Sequence, residues 1–145
     1  MQDISDILAF AKDKLASTNY AGFPFNAVLA RRTLKAAMKS ADSRVWVAHG
    51  SAGRIAGFLI GEIGPMPMTH YMSATDLAFL ATGGGSKLVD AFIAWCRLRG
   101  VARIDMGISA GMDPRQQRAI TRLLRRKGLL PSGGMFHLNL LGESQ

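Results

Sequence analysis

The chain has 145 residues, 48% of them hydrophobic, and 18 Lys and Arg against 10 Asp and Glu give it a net charge of +8. That length and apolar content suit one domain over residues 1–145 with its own core, with no second domain needed. Apolar runs stop short of the roughly 20 residues of a membrane span, the opening Met1-Gln2-Asp3-Ile4-Ser5-Asp6 is acidic, and a single cysteine, Cys96, excludes an internal disulfide or a cysteine metal cluster. The expectation is a cytoplasmic protein without a membrane segment or a metal site.

In chain order, Ile7, Leu8, Phe10, Ala11 and Leu15 recur at helical spacing after Ser5, and Asn26 is placed to cap a second helix holding Val28, Leu29, Leu34, Ala37 and Met38. The loop between them, Tyr20-Ala21-Gly22-Phe23-Pro24-Phe25, carries three aromatics that either pack the helices or shape a pocket. Val45 to His49 then reads as a strand, Gly50-Ser51-Ala52-Gly53 as a hairpin turn and Arg54 to Ile63 as its antiparallel return. A further strand, about Met72 to Leu80, enters a glycine loop. The next helix turns Leu88, Val89, Phe92, Ile93, Trp95 and Cys96 inward and stops at Gly100. Ala102 to Ile108 reads as a strand, Asp113 and Pro114 open a helix running to Gly128, and Met135 to Leu141 reads as a closing strand.

The segment Leu77-Ala78-Phe79-Leu80-Ala81-Thr82-Gly83-Gly84-Gly85-Ser86-Lys87-Leu88 carries the most chemistry. Glycines let backbone amides approach an anion, and the first turn of the following helix adds unpaired N–H groups and a positive dipole end. The order Gly85-Ser86-Lys87 is wrong for a Walker loop, and Leu88 stands where the third glycine of a dinucleotide fingerprint belongs. What remains is the strand, glycine loop and helix that hold the pyrophosphate of coenzyme A, beside the plainer reading of a flexible turn.

With these elements in this order, the chain from about Val45 to Leu141 resembles the GNAT superfamily of N-acetyltransferases, and its helical opening resembles small members from tailed-phage genomes. The resemblance implies an α/β (α+β) fold with a mixed, mostly antiparallel central sheet flanked by helices, and a V-shaped split between two strands around the cofactor. Gly83 and Gly85 match the two small positions of the family's Gln/Arg-x-x-Gly-x-Gly/Ala loop. The resemblance implies that Ala81, Thr82, Gly83, Gly84, Gly85, Ser86 and Lys87 hold the pyrophosphate of acetyl-coenzyme A, with Leu77, Ala78, Phe79 and Leu80 along its pantetheine arm. Gln116 and Ala119 match the start of the family's Asn-x-x-Ala signature, adding Gln116 to the cofactor contacts, and Gly128-Leu129 matches its end. The chain departs from the pattern at Leu80, where Gln or Arg is usual, and at Leu124, where many members place a tyrosine that protonates the leaving thiolate.

The implied reaction is attack of a neutral primary amine on the thioester of acetyl-coenzyme A. Such an amine is mostly protonated at neutral pH, so a base must take its proton. Candidate bases are Asp76 and Glu62, each interrupting an apolar strand, and His70, in a Pro- and Met-rich loop where a plain loop histidine is the competing reading. Ser109, at the end of the next strand, is a candidate to order a water or a substrate group, or else a turn residue. Strand alternation puts Asp76 on one face with Ala78, and either carboxylate can equally well face solvent.

Charge speaks to the partner. Arg115, Arg118, Arg122, Arg125 and Arg126 recur at three- and four-residue spacing on the last helix, and Arg31, Lys35 and Lys39 do so on the second. Such faces attract polyanions, so non-sequence-specific nucleic acid is a candidate partner, and an amine on modified phage DNA in a bacterial host cell a candidate acceptor. The competing class is a non-catalytic module of the same fold that binds nucleic acid or a host protein.

Overall fold

The computed structural model describes residues 2–18, 20–107, 113–134, 138 and 140. Its elements are α1 (Gln2–Leu15), α2 (Ala27–Lys39), β1 (Ser43–His49), β2 (Ile55–Pro65), β3 (Met72–Ala81), α3 (Gly85–Leu98), β4 (Arg103–Asp105) and α4 (Pro114–Arg126). The strands form one sheet in the order β1-β2-β3-β4, antiparallel except for the parallel pair β3 and β4.

Two apolar layers sandwich this sheet. On one face Ile4, Ile7 and Leu8 of α1 and Leu34 and Ala37 of α2 pack on Phe58 and Ile60. On the other, Leu88, Val89, Phe92, Trp95 and Cys96 of α3 and Leu124 of α4 pack on Leu59, Ile63, Ala74 and Phe79. The alternation of Phe58, Leu59 and Ile60 between the layers is the two-residue period of a strand buried on both sides. Cys96 is buried, and that burial pushes its thiol up to about 11, which makes it a core residue rather than a nucleophile.

Local capping chemistry sets the helix ends. Asn26 Oδ1 accepts the Leu29 N–H at 3.0 Å and Asp113 Oδ1 that of Arg115 at 2.9 Å, with Pro114 in the first turn. Both α3 and α4 stop at a glycine in the left-handed region, Gly100 (φ 68°) and Gly128 (φ 90°). In each, the next residue's N–H returns to the last turn, Val101 to Cys96 and Leu129 to Leu124, both at 3.0 Å.

Several element bounds differ from the sequence expectations. Strand β1 begins at Ser43 rather than Val45. Helix α1 begins at Gln2 rather than after Ser5, and β2 runs on to Pro65. The hairpin turn is a single 3₁₀ turn, Ser51–Gly53, in which Ala52 takes a positive φ of 57°. Strand β4 is Arg103–Asp105; of the other residues expected in it, Ala102 precedes it, Met106 and Gly107 lie outside because the chain leaves the ladder after Asp105, and Ile108 lies outside the described residues. Ser109 lies outside the described residues, as does most of the stretch Met135 to Leu141; Leu138 and Leu140, which are described, are not in a strand.

Candidate functional site where the sheet opens

Strands β3 and β4 pair only over Ser73 to Thr75, opposite Arg103 to Asp105. Beyond that point β3 continues to Ala81 without a partner on its outer side among the described residues, so the sheet opens there. At the apex, Asp76 replaces the ladder: its Oδ1 accepts the Gly107 N–H at 3.0 Å. Burial pushes the Asp76 carboxyl up to about 6, against the opposite pull of that N–H.

A bulge in β3 decides which way the apex residues face. Ile60 pairs with Ala78 but Gly61 with Asp76, so Leu77 has no opposite number. The extra residue reverses the alternation. Ala78 and Leu80 therefore pack into the α1 and α2 layer, whereas Asp76 shares with Gly61 the face that α3 covers. This corrects the expectation that Asp76 and Ala78 share a face. Glu62, one residue beyond Gly61, faces the α2 side, where it and the 53% exposed Leu77 line a cleft of about 360 Å³ with Arg32, Ser40 and Ser43. The two carboxylates thus lie on opposite faces of the sheet. His70 sits exposed in the turn joining β2 and β3, beyond the paired end of the split.

Below the apex the chain enters the glycine loop, where two of the amides expected to face an anion already have partners. The Thr82 and Gly83 N–H groups both donate to the Ala56 carbonyl, at 2.7 and 3.1 Å, as does the Thr82 hydroxyl at 3.1 Å. Those two amides hold the loop to β2 rather than facing a ligand. The first bond of the α3 ladder runs from Leu88 N–H to Gly84 O at 3.1 Å, which leaves the Gly85, Ser86 and Lys87 amides outside it. No acidic residue occupies that first turn.

The three glycines have different jobs. Gly84 is required by the fold: its φ is +71° and an added Cβ would sit 2.7 Å from that of Ala48. Gly83 and Gly85 have room, since a Cβ there would meet its nearest neighbours at 3.5 Å. The glycines at the two matching small positions are therefore the ones that folding does not demand, and a close anion would explain them. Ser86 and Lys87 are exposed beside a cleft of about 700 Å³ that runs between β1 and α3, past His49 and Trp46.

The remaining candidates divide into backbone and side-chain roles. Phe79 is buried under α3, and Leu80, at the usual Gln or Arg position, packs with the α1 and α2 layer, so both side chains belong to the core, while the outer backbone edge of β3 beyond Thr75 has no strand partner among the described residues. Gln116 is exposed in the first turn of α4, and Leu124 is buried, anchoring that helix. Sequence reasoning missed Ala56, Gly107 and the Leu77 bulge. One usable signal was glycine inside a strand, which marks close approach: a Cβ at Gly57 would lie 2.8 Å from that of Ala81, and one at Gly61 2.5 Å from the Phe92 ring.

No protein-family profile and no curated protein matches this sequence. Solved structures do match its fold. A transcriptional regulator from Bacillus halodurans C-125 superposes with a TM-score of 0.71 at 19% identity, covering 96% of this chain and 94% of its own. An acetyltransferase of Trypanosoma brucei gives 0.66 at 16%, covering 96% and 94%. A ribosomal-protein-alanine N-acetyltransferase from Brucella melitensis biovar Abortus 2308 gives 0.60 at 15%, covering 94% and 95%. The chain has the GNAT fold: a mixed, mostly antiparallel sheet flanked by helices and opened between a parallel pair of strands. No helix among the described residues is long and apolar enough to cross a membrane.

Proposed function

We propose that this chain is an acetyltransferase that moves an acetyl group from acetyl-coenzyme A to a primary amine. The observation that carries the reading is the alignment of a sheet whose β3–β4 pairing ends before Asp76 with helix-start amides at the far end of the same strand that have no backbone partner among the described residues. The Gly85, Ser86 and Lys87 amides and the Lys87 ammonium would take the pyrophosphate, and the unpaired edge of β3 from Leu77 to Ala81 would hold the extended arm. The coenzyme supplies the acetyl thioester. A structure of similar fold named for N-acetylation of alanine supports nitrogen as the acceptor atom.

In the chemistry assigned to the chain, the amine lone pair forms a C–N bond to the thioester carbon, the C–S bond breaks with its electron pair going to sulfur, and the amine gives up one proton. Asp76 is the base we assign. It stands at the apex, and with its carboxyl near 6 it is mostly ionised at neutral pH yet basic enough to accept a proton. Its bond to Gly107 N–H fixes one oxygen and leaves the other for the proton. Buried Leu124 offers no hydroxyl to the departing sulfur, so solvent protonates it. Holding amine and thioester together supplies much of the acceleration. A cytoplasmic site of action accords with a coenzyme A substrate.

Calorimetric titration with acetyl-coenzyme A tests the cofactor half of this reading. The parent should bind, and Ser86→Glu should weaken binding at least tenfold without lowering Tm, because a carboxylate at a helix start favours the fold while repelling phosphate. Equal affinity in the variant, or none in the parent, would overturn the reading. For the chemical half, Asp76→Asn should bind the coenzyme normally and release thiol from it, with an amine mixture, about 10²–10⁴-fold more slowly.

A further inference from the structure

We propose that the outer face of α4 is a docking surface for the phosphate backbone of double-stranded DNA, engaged without reading sequence. Arg115, Arg118, Arg122, Arg125 and Arg126 are all exposed. At about 100° per residue they fall within an arc of roughly 100°, on the side of the helix away from Ile120 and Leu124, which hold it to the core.

The charge on this arc is not neutralised locally. Between Pro114 and Arg126 there is no Asp or Glu, and the nearby Asp113 caps the helix through the Arg115 backbone N–H. Among the described residues no carboxylate forms an ion pair with any of the five arginines; the one pair at this helix joins Lys127 to Asp90. Like charges three and four residues apart destabilise a helix, and Arg115 in its first turn opposes the positive dipole end. A polyanion laid along the arc would relieve both penalties at once.

Geometry favours a duplex. From Arg115 to Arg126 the helix rises about 16 Å, and duplex DNA carries one charge per ~1.7 Å of axis, so roughly three or four phosphates come within reach of one face. The helix presents no exposed large apolar side chain and no aromatic on which an unpaired base could stack. The basic residues of α2 lie on the opposite face of the sheet and are interrupted by exposed Val28, Leu29 and Met38, so the two sets do not form one surface. On its inner side α4 borders the glycine loop: Leu123 Cδ2 lies 3.7 Å from where a Cβ on Gly85 would sit. A duplex on α4 would thus lie beside the proposed cradle, and presentation of a DNA-borne amine to that site rests on the acetyl-transfer reading, whereas the docking itself does not.

Fluorescence anisotropy with a labelled DNA duplex of about 20 base pairs and arbitrary sequence, from roughly 50 to 300 mM salt, should show binding whose log–log salt slope is about −3. Arg118→Glu with Arg122→Glu should lower affinity at least tenfold and flatten the slope, while leaving calorimetric binding of acetyl-coenzyme A unchanged. No binding at the lowest salt, or equal binding by the variant, would overturn the proposal. So would loss of coenzyme affinity in the variant together with no DNA binding by the parent, which would assign these arginines to the coenzyme's own phosphates. Failure of coenzyme binding in the parent would remove the acetyl-transfer reading and leave the DNA result standing.

Discussion

Helices α3 and α4 stop in the same way and lie on the same face of the sheet, yet they are held very differently. Each ends on a left-handed glycine with the following N–H folded back onto the last turn. Helix α3 buries Leu88, Val89, Phe92, Trp95 and Cys96, whereas α4 buries Leu124 alone, with Ile120 and Leu123 partly covered. Like caps therefore say where a helix stops and nothing about how firmly it is held. The well-anchored helix carries the amides that the proposed coenzyme site needs in fixed positions; the lightly anchored one carries the charge.

The largest effects should come from α3. Phe92 is fully buried, meets Trp46 edge-on at 5.7 Å between ring centroids and lies across Gly61. Phe92→Ala should cost about 3–5 kcal/mol in chemical denaturation and expose the whole sheet to hydrogen exchange. In that background Gly61→Ala should become tolerable, because the ring its methyl would strike is gone. Leu124→Ala should cost less, about 2–3 kcal/mol, with the loss of exchange protection confined to α4. If the two truncations unfold the molecule equally and globally, the contrast between the helices is wrong.

The features shared by the two helices were legible in the sequence, and those that separate them were not. Asn26, Asp113-Pro114, Gly100 and Gly128 act within a turn of their own position, so residue type suffices. The strands of the hairpin and the entry of β3 into the glycine loop follow from short-range apolar patterning. The Leu77 bulge is set by how β2 and β3 register, and the use of the Thr82 and Gly83 amides by a carbonyl far back in the chain at Ala56. Spacing carries neither. Alternation read along β3 alone therefore put Asp76 and Ala78 on one face, and a glycine count alone did not show that the Thr82 and Gly83 amides are bonded to Ala56.

A smaller, pH-dependent effect should appear at the carboxylate on the face these helices cover. In the unfolded chain Asp76 has an ordinary value near 3.8, while in the fold it is raised to about 6. Between those values the native state holds a proton that the unfolded state has lost. Stability should therefore fall as pH rises from about 4 to 6 and level off above. A shift of that size has a ceiling of about 3 kcal/mol, and partial exposure reduces the expected swing to roughly 1–2 kcal/mol. Urea titrations of the parent and Asp76→Asn across this range should differ by that swing, the variant being flatter. A parent whose stability instead rises through this window would show that Asp76 is not the buried carboxyl it is taken for.

The smallest effect bears most directly on how α4 is held. Lys127 Nζ lies 2.7 Å from Asp90 Oδ2, and this pair links the end of α4 to α3. The Lys127 side chain is 21% exposed and that of Asp90 56%, so solvent screens much of the attraction. A double-mutant cycle with Lys127→Ala and Asp90→Ala should return a coupling of about 0.3–1 kcal/mol that shrinks in high salt. The sign of each single change is informative. Removing Asp90 from a chain of net charge +8 also removes one of its few neutralising groups, so Asp90→Ala should cost more than Lys127→Ala. Equal costs would mean that the pair acts only through its own contact and that the wider positive field, on which the proposed docking face of α4 depends, is weaker than the sequence charge implies.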